Sequence, residues 1–197
     1  MPLSPPAERE PVHTRTVTCR GYLRQDGLWD IDGHMTDQKS YAYPNDYRGQ
    51  IEAGEPVHDM WMRMTVDETL TIQAMECVTD SGPFAICGNI TPNFQRMVGV
   101  QIGKGFRGQV KKLVGGTEGC THLVELFGPM ATTAFQSIFP YQEKRRRENP
   151  EIALAEGPRE RPRILDTCHA LASDSYVVKN NWPEFYTGPD NPAVPDS

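Results

Sequence analysis

The sequence contains no run of about 18 apolar residues, the length a membrane-spanning helix requires, so no membrane partner is expected. It is poor in cysteine, with five in 197 residues, an odd and scattered set. No C-x-x-C or H-E-x-x-H spacing occurs, so the common zinc signatures are missing. No Walker loop occurs, and no organic cofactor is expected. Positive charge is in deficit: 20 Lys+Arg stand against 26 Asp+Glu, a net charge of −6. That balance argues against a nucleic-acid partner. The segment Met1-Pro-Leu-Ser-Pro-Pro has neither a basic stretch nor an apolar stretch of the secretory kind. Together with the unpaired thiols it reads as a cytoplasmic, reducing location. Apolar residues make up only 38%, below the globular average.

Proline, by contrast, is plentiful, with 17 residues gathered partly at the ends. Residues 1–11 read as a disordered arm and 188–197 as a disordered tail, leaving one domain over 12–187. Within it, Val17, Cys19, Gly21 and Leu23 alternate with polar residues as a strand does. Asp26-Gly27 signals a hairpin turn, and Leu28 to Met35 reads as the returning strand. His58 to Val66, with Met60, Met62 and Met64 on one face, predicts a third strand, and Leu70 to Val78 a fourth. The spacing then becomes helical. Phe94, Val98 and Ile102 recur every fourth residue, and so do Phe106, Val110 and Val114. Cys120 to Phe139 is the longest helical candidate, with Gly128-Pro129 expected to kink it. Lys144 to Pro162 reads as a charged connector, Ile164 to Ala172 as a short helix and Tyr176 to Val178 as a short strand. Strands first and helices after is the α+β order: an antiparallel sheet of N-terminal strands packed by C-terminal helices.

Three places combine reactive side chains with tight turns: His58-Asp59 at a strand start, Cys87 after a strand, and Cys120-Thr121-His122 at a helix start. A thiol at a helix N-terminus meets the positive end of the helix dipole, which favours thiolate. His58, Cys87 and Cys120 together form a mixed nitrogen and sulfur set suited to zinc or iron. The competing reading is that single cysteines are small buried apolar residues, which fits Cys19 and Cys77 inside strands. Trp29, Tyr41 and Trp61 suit an apolar pocket for a flat ligand, or ordinary core and rim positions. Cys168-His169 stays ambiguous.

Three long blocks carry a resemblance. They are Asp26-Gly-Leu-Trp-Asp-Ile-Asp-Gly-His34, Gly54-Glu-Pro-Val-His-Asp-Met-Trp61, and Gly115-Gly-Thr-Glu-Gly-Cys-Thr-His-Leu-Val-Glu-Leu-Phe through Gln136. With Cys168-His-Ala-Leu-Ala they resemble the bacterial family catalogued as domain of unknown function 2889. Association with that family implies breakdown of lignin-derived aromatic dimers, including formaldehyde-releasing lyase chemistry on a small aromatic substrate. In that reading His58, oriented by Asp59, is the base. Arg63 or Tyr41 stabilises a phenolate, Cys120 and His122 shape the site, and Trp29, Trp61 and Cys87 bind substrate. Gly54-x-Pro56-x-His58 followed by Met62-Arg63-Met64 also resembles the iron–sulfur scaffold proteins of the NifU type, where a Gly-x-Pro-x-Cys segment enters a Met-Arg-Leu strand. That likeness implies His58, Cys87 and Cys120 at the three ligand positions, with His replacing the first Cys and Gly119 replacing the His before the last. The open alternatives to an enzyme are therefore a metal-binding or iron–sulfur-handling module and a non-catalytic binder of aromatic ligands or partners. The oligomeric state is open as well, a homo-oligomer included.

Overall fold

Period-two alternation of large apolar and polar side chains makes one sheet face fit for burial, and the long strands follow it. In the computed structural model, which describes residues 3–149, 151, 161–162 and 164–189, the strands are β1 (His13–Leu23), β2 (Trp29–Lys39), β3 (Tyr43–Asn45), β4 (Gly49–Ile51), β5 (Pro56–Val66) and β6 (Ile72–Ser81). The four long strands form one antiparallel sheet in the order β1-β2-β5-β6, and β3 and β4 form a separate small hairpin. The turn at Asp26-Gly27 sets the β1–β2 register: Arg24 N–H donates to Leu28 C=O at 2.9 Å, and Gly27 takes a positive φ of 86°. Every residue pair then sums to 52, which places Arg15 opposite Asp37 and Gly21 opposite Ile31.

The inner row of β2 is Trp29, Ile31, Gly33, Met35 and Asp37, and that of β5 is Met60, Met62, Met64 and Val66; all of the large apolar members are buried. Over this face lie a 3₁₀ segment (Cys87–Met97), helix α1 (Phe106–Val114) and helix α2 (Thr121–Glu148). Leu123, Leu126, Phe127, Met130, Ala134 and Ile138 form the buried stripe of α2, and Phe127 packs against both Phe94 and Phe106. The fold is α+β, a four-stranded antiparallel sheet from the N-terminal strands packed by C-terminal helices.

Several local expectations change. Helix α2 is longer than its apolar stripe suggested, and it continues through Pro129 and Pro140. Phe94, Val98 and Ile102 do not share a helix. The helical part is 3₁₀ and ends at Met97, after which Gly99 N–H and Ile102 N–H bond to the edge of β6 and the turn before it. Tyr176 to Val178 is helical: α3 spans Tyr176–Asn181, with the Ser175 side chain accepting from Val178 N–H at 3.2 Å. An N-cap serine outweighs the β preference of three residues. In Ile164 to Ala172 only His169–Leu171 is helical, as a 3₁₀ turn. The connector is helical up to Glu148, and its residues 150 and 152–160 lie outside the described residues, as does most of the 188–197 tail. By its internal contacts the chain divides into two compact units, Met1–Glu143 and Lys144–Ser197.

Candidate functional site

The inner row of β2 runs apolar for four positions and then ends in a carboxylate. Asp37 is 1% exposed, a burial that an ionised side chain tolerates only when its oxygens are well bonded. Register supplies the partners. Arg15 faces Asp37 from β1, and His58 faces it from β5. Arg15 donates from Nε to Oδ1 and from Nη2 to Oδ2, both at 2.8 Å. His13 Nε2 lies 3.0 Å from Oδ1 and His58 Nδ1 lies 3.1 Å from Oδ2. A carboxylate offers about four lone-pair positions, so Asp37 is saturated by these donors. Burial disfavours its charge, but the hydrogen bonds from Arg15 and His13 outweigh that and hold the carboxyl at about 2.

Helix α2 completes the cluster from above. His122, in its first turn, brings Nε2 to 3.6 Å from Asp37 Oδ2, and its ring centre lies 3.7 Å from that of His58. Glu125, three residues on, pairs with the free end of Arg15. Cys120, just before the helix, has Sγ 3.8 Å from His122 Nδ1 and 4.0 Å from the Met60 sulfur. Burial and the neighbouring His122 push the His58 pKa below the usual imidazole value, against the pull of Asp37. Burial lowers His122 likewise.

An ionised carboxylate only accepts, so His58 must donate from Nδ1 and keep its lone pair on Nε2. This is a carboxylate–imidazole dyad with a neutral, oriented base. Asp37, His58 and His122 also place ligand atoms within 4.8 Å of one another, a group of His and Asp side chains that could hold a metal ion. The saturation of Asp37 by four N–H donors favours proton chemistry there over a cation.

The residues singled out from sequence divide between faces. His58, Cys120 and His122 meet at this site. Asp59 does not orient His58, because adjacent strand residues point to opposite sheet faces. Its Oδ1 instead takes His34 Nε2 at 2.7 Å, and His34 stacks on Trp61 with ring centres 3.6 Å apart. Arg63, on the same outer face, makes a two-pronged pair with Asp32 at 2.7 and 3.0 Å. Trp29 is a core residue, edge-on to Tyr141. Tyr41 is exposed beside Tyr43, with the Lys39 ammonium 5.4 Å from its ring centre. Cys87 lines a separate open cleft of about 540 Å³ with Tyr47, Arg48, Thr79, Asp80 and Phe84. The ligand set His58, Cys87 and Cys120 is therefore corrected: Cys87 belongs to that cleft, and the metal-compatible group is Asp37, His58 and His122. Cys19 and Cys77 behave as semi-buried apolar thiols, and burial pushes Cys77 up to about 12.

Sequence reasoning missed Asp37, Arg15 and His13. Two signals were available. The odd-numbered row of β2 continues through Asp37, and the hairpin arithmetic set by Asp26-Gly27 pairs it with Arg15.

Comparison with curated proteins and with solved structures returns no significant match, so the likeness to NifU-type scaffolds rests on its short sequence blocks alone. The family model described as protein of unknown function (DUF2889) matches residues 13–136, a span that holds the whole site from His13 to Glu125, and the chain belongs to that family.

Proposed function

We propose that the protein is a small-molecule enzyme in which His58 is the general base and Asp37 its orienting carboxylate. The observation that carries this reading is the saturation of Asp37, which fixes the His58 tautomer and leaves Nε2 free. A neutral imidazole at this position takes a proton, and the Asp37 charge then stabilises the imidazolium. Lowered affinity for protons keeps His58 in its active form at neutral pH.

The reaction we assign is cleavage of a carbon–carbon bond in a lignin-derived aromatic dimer, with release of formaldehyde. His58 removes the hydroxyl proton of a primary alcohol. The oxygen electrons form the formaldehyde carbonyl as the C–C bond breaks, and that bond's electrons pass into the conjugated phenolic system. Lys39, two residues beyond Asp37 and held over Tyr41 and Tyr43, supplies a cation beside aromatic rings where a phenolate would be stabilised.

The test is formaldehyde release from phenolic dimers bearing a primary alcohol, measured with chelator-treated protein. His58→Gln should lower kcat by about 10²- to 10⁴-fold, the usual contribution of a general base. The acid limb of kcat/KM should have its midpoint below about 6.5, the ordinary imidazole value. His122→Asn should raise that midpoint, because His122 contributes to the depression of His58. Arg63→Gln, on the opposite face, should change little. Unchanged turnover in His58→Gln would remove His58 as the base, and loss of turnover on chelation would replace proton chemistry with metal chemistry at the same three residues.

A further inference from the structure

Beside the dyad lies a second group of donors that proton transfer by His58 does not use. Cys120 Sγ stands 4.0 Å from Met60 Sδ and 3.8 Å from His122 Nδ1. Metal–ligand bonds of about 2.3 Å to sulfur and about 2.0 Å to imidazole nitrogen, opened to 120°, separate two sulfurs by about 4.0 Å and sulfur from nitrogen by about 3.7 Å. A tetrahedral arrangement would give about 3.8 and 3.5 Å with the same bonds. The observed spacings allow one ion to bridge Cys120 to each of the other two donors.

The second observation is the far side of His122. A metal-bound imidazole almost always donates its other N–H to a carboxylate, a backbone carbonyl or water. His122 Nε2 faces Asp37 Oδ2 at 3.6 Å, a contact longer than a hydrogen bond, and its Nδ1 faces Cys120 Sγ at 3.8 Å.

We propose that Cys120, Met60 and His122 form a three-coordinate site for monovalent copper. A thiolate, a thioether and an imidazole are soft or borderline donors, the set that selects Cu(I) over the harder divalent ions. Charge agrees with that choice. One thiolate neutralises one monovalent ion, so the half-buried complex is neutral, whereas a divalent ion would add net positive charge close to Arg15. On binding, the thiol proton leaves to solvent, a sulfur–copper bond forms, and no electron moves. Met60 is 1% exposed at the end of the β5 core row, so its sulfur is held in place by packing. The site does not depend on His58 acting as a base, and it can be tested without turnover.

The experiment is anaerobic competition for Cu(I) against a chromophoric chelator, with X-ray absorption on the loaded full chain. One ion per chain is expected, in a first shell of two sulfurs and one nitrogen. Cys120→Ser should weaken binding by on the order of 100-fold, and Met60→Leu, close in volume, by on the order of tenfold. Cys168→Ser, at an exposed thiol, should leave the affinity unchanged. Wild-type protein that fails to compete, an unchanged affinity in Cys120→Ser, a loss in Cys168→Ser, or a first shell without two sulfurs would each overturn the proposal.

Discussion

Asp37 shows how one buried residue can hold a cluster of side chains together. Its carboxylate is buried, so its charge exists only because Arg15, His13 and His58 bond to it. Its pKa, held at about 2 against an ordinary 3.8, makes acid stability a direct readout. Because the folded value is depressed, the stabilisation is complete above pH 3.8 and is lost as pH falls through about 2. The difference corresponds to about 2 kcal/mol. Urea unfolding followed from pH 5 downward should show that component in the wild type. Asp37→Asn should lack it, while keeping the slope contributed by the other carboxylates. Equal slopes in both proteins would mean that the carboxylate is not held by its partners in solution.

At the scale of elements, α2 lies along β2 like a ruler. Tyr141 meets Trp29, Met130 covers Gly33, and His122 reaches Asp37. The step from Tyr141 back to His122 covers about 28 Å of helix, and that from Trp29 to Asp37 about 27 Å of strand, so the two lengths match. Close approach requires glycine beneath the helix. A Cβ on Gly21 would fall 2.0 Å from Ser137 Oγ and 2.8 Å from Ser137 Cβ, an overlap that a short side chain cannot relieve by swinging away. Gly21→Ala should therefore destabilise by about 1–3 kcal/mol, read as a lowered urea midpoint with unchanged slope. Pairing it with Ser137→Gly should recover most of the loss, and failure to do so would place the strain elsewhere. The four long strands, α1 and the start of α2 were legible because apolar period and turn chemistry agree there. The 3₁₀ segment was not, since Phe94, Val98 and Ile102 mimic helical spacing while Val98 and Ile102 belong to the chain that follows it. Asp59 was misassigned to His58 because sequence adjacency was taken for contact, whereas a strand separates neighbours onto opposite faces. Arg15 and Asp37 were missed because β2 was ended at Met35, one inward position too soon.

For the whole molecule, the main core cluster draws on residues from Trp29 to Ile138, all within the first compact unit. The site from His13 to Glu125 lies there too, and the family match ends at residue 136. Core, site and family thus share one stretch of chain, which is the condition for independent folding. The second unit has its own internal bonds: Ser173 and Arg161 both bind Asp166, and Ser175 caps α3. A chain of residues 12–148, which keeps the described length of α2 intact, should therefore fold cooperatively and keep the Asp37-dependent acid transition. It should also retain Cu(I) with the affinity of the full chain, since Met60, Cys120 and His122 are all present. Unfolded 12–148 would show that residues after 148 are required to stabilise the sheet–helix unit.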